Sequence, residues 1–390
     1  LRDILRQNNA DLLREIGLLR ERLEKAASAI PPELQPFQGW IISFCDKLQA
    51  TALQNLRNLN LGLDSILPNI LSDTQVLTRN VRLFNQRLVG PVLRACESDR
   101  LCLKVLRWIH STHSLTQQIP MALSDGDFAS WPQLDWPTIY FMPPSAQHRL
   151  LYLPLFFHEF GHLLYACHEP EMDELVKALQ KEITQFLEPR GQRDDRHAQS
   201  EAKRRSVIVE TWYEWAHELF CDGIGFQMAG PAFAYSFSMY FRVLMRDQYH
   251  IRAEELEHRD HPVTWLRIRL LADRVRRMGF EADAKALEDT WSKIAATMGV
   301  VEDYYGFYSD EFLPSIRQAI DDMLVEAAPR AFENQEVSAT ELLLLDSALT
   351  LSSPVQLLNK AWRKFLDDEG GYTAWEKNAI EGLLNDKTLI

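Results

Sequence analysis

Apolar residues recur every three or four positions through the first 28 residues, at Leu5, Leu12, Ile16, Leu19, Leu23 and Ala26. Arg14, Glu15, Arg20 and Glu24 stand between them, and Asn9 interrupts the stripe. That spacing predicts an amphipathic helix whose stripe either docks on the rest of the chain or, over barely four heptads, pairs with a second copy. Pro31 and Pro32 end it, because proline lacks the amide hydrogen that a continuing helix needs. Helical periodicity with few Gly or Pro then resumes and predicts helices near 38–58, 62–71, 73–97 and 99–116. Residues 120–137 turn to Asp, Gly, Trp and Pro, the composition of a loop. The β-prone run Thr138–Met142, closed by Pro143 and Pro144, predicts a short strand.

Next comes the most apolar stretch of the chain, Leu150 to Cys167, 18 residues long. A bilayer-crossing helix needs about 20, but this one carries His158, Glu159 and His162, and no second comparable run could surround those groups in a membrane. It reads as a buried helix, with no membrane span. Glu188–Arg205 is charged and nearly free of large apolar residues, which predicts a mobile surface loop. Helical periodicity returns from Val207 to Met228 and again from Arg242 onward, with a cap at Ser353-Pro354 and a break at Gly370-Gly371. The pattern predicts a mainly α chain with a small β component: a helical region over 1–130, a core over 131–275 and a second helical region over 276–390.

Composition narrows the function. With 390 residues and 46% hydrophobic content the chain can bury a sizeable core and form two or three domains. Lys and Arg total 42 against 55 Asp and Glu, a net charge of −13, which argues against a nucleic-acid partner or an anionic lipid surface. The five cysteines are scattered without CxxC spacing and point to a reducing, cytoplasmic setting. The chain starts at Leu1 and shows no signal-peptide layout.

The chemistry-bearing feature is His158-Glu159-Phe160-Gly161-His162. Residues four apart on a helix lie one above the other, so the two imidazoles face one point and can supply two nitrogen ligands to Zn²⁺. Glu159 stands beside that point, placed to take a proton from water activated by the metal and return it to a leaving amine. Three ionisable groups in so apolar a helix are costly without an ion or partners. A catalytic zinc ordinarily has three protein ligands, and two stretches compete to supply the third. His168 completes a metzincin-like H-x3-H-x5-H, but Tyr165 occupies the position where that pattern needs a glycine to turn the chain back. In Glu214-Trp-Ala-His-Glu218-Leu-Phe-Cys-Asp222, Glu218 and Asp222 share a helix face. Glu218 can then be the carboxylate ligand while Asp222 accepts a hydrogen bond from the far nitrogen of a ligand histidine. Glu214 stacks on the same face and is an alternative ligand.

The sequence here resembles the gluzincin zinc metallopeptidases, with HEFGH matching their HExxH and ELFCD their ExxxD. It is most similar to the CAAX-protease and heat-shock-protease branch, whose second helix reads E-x-x-A-D-x-x-G. Glu218, Asp222 and Gly225 match that pattern, with Cys221 in place of the small alanine. The branch's later H-P-x-x-x-x-R-I element matches His261-Pro-Val-Thr-Trp-Leu-Arg267-Ile268. The resemblance covers roughly residues 138–270. It implies a metallopeptidase core that hydrolyses a peptide or protein substrate, with His158, His162 and Glu218 on zinc, Glu159 as general base and Asp222 behind the ligands. His261 can donate a hydrogen bond to the developing oxyanion, and Arg267 can pair with an acid of the site or with a substrate carboxylate, or form a structural ion pair. The competing function is a catalytically silent zinc-binding scaffold that acts through its helical flanks. Tyr304, Tyr305 and Tyr308 read as core aromatics, Cys167 and Cys221 as buried structural thiols, and His110 and His113 carry no second signal.

Overall fold

A computed structural model describes residues 1–117, 119–134, 136–188, 198–243, 249, 251–257, 259–300, 304–338 and 353–385. They form a mainly helical chain with one small sheet, divided into two compact units. The first unit comprises Leu1–Arg107 and Gln118–Gln147, the second Trp108–Gln117 and His148–Ile390.

In the first unit the amphipathic stripe becomes α1 (Arg2–Ala26), packed on α2 (Gln35–Asn60) and α3 (Leu67–Phe84). Leu5, Leu12, Ile16, Leu19 and Leu23 are buried there, so the chain's own helices cover the stripe and leave it no free face for a second copy. Asn9 sits within the stripe and is fully satisfied. Its Nδ2 donates to Leu5 O at 2.9 Å and Thr74 Oγ1 at 2.8 Å, and its Oδ1 accepts from Asn55 Nδ2 at 3.1 Å. The break expected near residue 72 is absent. The break expected between 58 and 62 is present, with Gly62 at φ 75°, and α3 runs on past 72 through a π-turn at Asn85–Val89 into α4 (Gly90–Arg94). Pro91 cannot donate to the carbonyl four residues back, and the π-turn shifts the ladder so that Gly90 donates to Asn85 O instead. α5 (Arg100–Ser111) follows.

The loop expected over 120–137 contains two strands that composition concealed. β1 (Met121–Ser124) pairs parallel with the predicted strand, β3 (Ile139–Met142), and β2 (Ala129–Trp131) pairs antiparallel on its other edge. The register sets Trp131 opposite Ile139, and the Trp131 ring meets Phe141 edge-on at 5.0 Å.

The second unit is built on α6 (Leu155–Cys167), α7 (Glu169–Leu187) and α8 (Ala198–Ala229). α6 starts five residues later than the apolar run because Pro154 takes its N-cap position; residues 150–154 form turns. α8 takes in 198–205, part of the stretch whose composition predicts a loop, while 189–197 of that stretch lie outside the described residues. α9 (Pro231–Val243), α10 (Ala253–Leu256), α11 (Thr264–Arg277), α12 (Glu281–Met298), α13 (Leu313–Ala327), α14 (Asn334–Val337), α15 (Pro354–Asp367) and α16 (Glu369–Asn385) complete it. Ser353 caps α15, accepting from Gln356 N at 3.3 Å. The break near the end falls at Asp368, with Gly370 and Gly371 in the first turn of α16. Among the described residues no helix is long and apolar enough to cross a membrane. All five cysteines are unpaired.

Candidate metal centre

The centre lies where α6 and α8 touch in the second unit. Gly161 makes that approach possible: a Cβ there would stand 2.9 Å from Cys221 Cα, closer than side chains tolerate. One turn of α6 separates His158 from His162, and their rings sit 5.1 Å apart at 86°. α8 brings Glu218 to both. Glu218 Oε2 is 3.5 Å from His158 Nε2, and Oε1 is 3.8 Å from His162 Nε2. The three residues offer ligand atoms that all lie within 4.8 Å of one another. The nearest Glu159 oxygen is 4.0 Å from His162 Nε2, beside the group.

A shell of partners fixes these side chains. His158 Nδ1 stands 2.9 Å from Asp222 Oδ1, the arrangement that orients a ligand histidine and leaves its other nitrogen for a metal. Asp222 is held by Arg267 of α11, whose Nε and Nη2 donate to its two oxygens at 2.9 and 2.7 Å. Arg267 Nη2 also lies 3.2 Å from Glu218 Oε2, so its partners are acids of the site, and at 2% exposure it cannot reach a substrate carboxylate. His261 precedes α11 by three residues rather than capping it, with Nε2 3.3 Å from Glu218 Oε1 and a largely exposed side chain. It marks the open side of the centre.

The electrostatics fit a cation. Glu159, Glu218 and Asp222 are 6%, 6% and 3% exposed, and Arg267 pairs with Glu218 and Asp222. Glu218 Oε2 and His158 Nδ1 are both buried without a hydrogen bond of good geometry, although Arg267 Nη2 and Asp222 Oδ1 stand 3.2 and 2.9 Å from them. Burial opposes a charge on His158, but Asp222 and Glu218 prevail and raise its pKa to about 10. For His162, burial together with His158, His261 and Arg267 outweighs Glu218 and lowers the pKa to about 4. Burial would raise the Glu218 carboxyl, yet Arg267 and the two imidazoles hold it well below the usual range.

The competing third ligands lie elsewhere. Tyr165 stays helical and buried, so the chain does not turn back there, and His168 instead places Nδ1 3.7 Å from Glu326 Oε1. Among the described residues, neither His168 nor Glu214 belongs to a group able to hold a metal. His110 and His113 serve the backbone, with ring nitrogens 2.8 Å from Thr116 O and 3.0 Å from Ala327 O. Of the tyrosines expected in the core only Tyr304 is buried; Tyr305, in a turn with φ 49°, and Tyr308 are half-buried, and the Tyr308 ring packs between Tyr304 and Phe312. Cys221 is buried, whereas Cys167 is half-buried.

Compared with protein-family models, curated proteins and solved structures, the chain matches none. The geometry also reveals a residue that the sequence reading passed over. His217 Nε2 lies 3.2 Å from His162 Nδ1, and its ring stacks on Tyr165 at 4.0 Å. The available signal was the spacing His217-x3-Cys221, which puts an imidazole and a thiol on one face of α8.

Proposed function

We propose that the chain is a gluzincin-like, zinc-dependent metallopeptidase that hydrolyses a peptide or protein substrate, and that it works in the cytoplasm. The observation that carries this reading is the convergence of His158 and His162 from α6 with Glu218 from α8, beside the carboxylate of Glu159. Zinc, when bound, polarises a carbonyl and brings the pKa of water to about 7. Three buried carboxylates, Glu159, Glu218 and Asp222, supply negative charge around such an ion. Asp222 fixes the His158 ring, and Arg267 fixes Asp222. Glu159 accepts the proton of the attacking water and delivers it to the departing amine. His261, exposed beside Glu218, donates to the oxygen that gains charge as the carbonyl is attacked. The net charge of −13 favours neither nucleic acid nor anionic lipid as partner.

Metal analysis joined to digestion of proteome-derived peptides tests the reading. The expected result is about one zinc per chain, lost in the His158→Ala, His162→Ala double variant, together with cleavage that disappears in Glu159→Gln. Unchanged zinc in the double variant overturns the centre. Stoichiometric zinc with no cleavage favours the silent scaffold.

A further inference from the structure

His162 has two ring nitrogens, and each faces its own set of donors. Nε2 faces Glu218 and Glu159. Nδ1 lies 3.2 Å from His217 Nε2 and 3.5 Å from Cys221 Sγ, and ligand atoms of these three residues all fall within 4.8 Å of one another. A tetrahedral ion with bonds of about 2.0–2.1 Å to nitrogen and about 2.3 Å to sulfur has edges of roughly 3.3 Å between nitrogens and roughly 3.6 Å between nitrogen and sulfur. The two separations, both hydrogen bonds in this structure, lie close to those edges, and the His217–Cys221 edge is within 4.8 Å. The donors are also held in place. His217 and Cys221 are one turn apart on α8, and Cys221 is pressed against Gly161. The His217 ring lies on Tyr165, and Asp173 accepts hydrogen bonds from the phenols of both Tyr165, at 3.2 Å, and Tyr213, at 2.6 Å.

We propose that His162, His217 and Cys221 form a second metal site, thiolate-containing and suited to a soft or borderline ion such as zinc or cadmium, which shares His162 with the first centre and excludes it. Two imidazoles and a thiolate are the donors such ions select over oxygen-preferring ones. Binding forms one metal–sulfur and two metal–nitrogen bonds and releases the Cys221 thiol proton to solvent. Exclusion follows from the ring itself. A neutral imidazole has one lone pair, so an ion on Nδ1 leaves the proton on Nε2, where the first centre needs a ligand. The second site therefore withdraws His162 from the first. The site rests on its own three donors; only the consequence for hydrolysis rests on the function proposed above.

Cobalt(II) is the probe, because thiolate ligation gives a charge-transfer band in the near ultraviolet that nitrogen and oxygen ligands do not. His158→Ala should develop this band at one ion per chain, with Glu218→Gln as a second background should the first not fold. Adding Cys221→Ala to either should abolish the band, and adding His217→Gln should weaken binding by more than about 100-fold, the upper end for loss of an outer partner. The wild-type chain should take up one ion in all. A saturated His158→Ala or Glu218→Gln chain without the band, or a band that survives Cys221→Ala, overturns the site, and two ions per wild-type chain overturn the exclusion. Cobalt bound by Cys221→Ala alone, without the band, reports separately on the first centre. Failure there leaves the second site standing.

Discussion

Replacing Gly161 with alanine tests whether the closeness of α6 and α8 builds the centre. The added methyl would meet Cys221 Cα at 2.9 Å, Sγ at 3.0 Å and Cβ at 3.1 Å, and the first of these is backbone that cannot rotate away. Ordinary carbon contacts begin near 3.5 Å, so the helices must separate locally by roughly 0.6 Å. Two ligands ride on one helix and the third on the other, while metal–ligand distances tolerate only about 0.2 Å. Zinc affinity should therefore fall at least about tenfold, close to 1.4 kcal/mol. Stability should change by a comparable amount. Overpacking costs about 1–3 kcal/mol, offset by a gain of up to about 1 kcal/mol from replacing glycine within a helix. Competition with a chromophoric chelator reads the affinity, and urea unfolding in the presence of chelator reads the stability. A variant that binds zinc within twofold of wild type would refute the argument that this approach sets the ligand geometry.

Three further outcomes follow from the same geometry. Glu159→Gln should keep metal and fold but lose at least about 100-fold in hydrolysis, since an amide cannot take the proton; wild-type rates on any cleaved substrate would remove Glu159 from the mechanism. With Cys221→Ala present to remove the second site, Glu218→Ala should strip most metal, Asp222→Asn should weaken affinity about 10–100-fold, and His168→Ala should leave it unchanged; metal content after equal dialysis decides, and the reverse order would restore the His168 reading. Arg267→Met leaves Glu218 and Asp222 buried without their guanidinium and should cost about 3–5 kcal/mol in urea unfolding, whereas a loss below about 1 kcal/mol would show that both carboxylates find water.

Much of this was legible in the chain because the strongest signals are local. The stripe of α1, the two histidines four apart and the Glu218–Asp222 pair each follow from helical period alone, and the structure places the latter two around one point. The strands β1 and β2 were hidden because four and three residues are too few to show alternation, and β1 depends on pairing with β3 across the intervening chain. The run from Leu67 to Phe84 reads as broken near 72 because Ser72-Asp73 has the composition of a helix start, and the buried face at Ile70, Leu77, Val81 and Phe84 carries the helix through it. Two features of the centre arise only from packing. Gly161 looks like an ordinary variable position of HExxH until α8 lies against it, and His217 gains its role from Tyr165 and His162 on the neighbouring helix.

The buried amide of Asn9 has a mechanical consequence for the first unit. A seam of leucines and isoleucines between helices is nearly indifferent to sliding by one turn, about 5.4 Å, because each apolar side chain finds another of its kind. Asn9, Asn55 and Thr74 meet from three different helices, and they can satisfy one another at a single alignment only. A slipped arrangement would leave several polar groups dry, at about 1–3 kcal/mol each. The trio therefore works as a key cut to one lock: it adds little grip, but it sets the vertical alignment of α1, α2 and α3, so this three-helix seam assembles in one register instead of a ladder of near-equivalent ones.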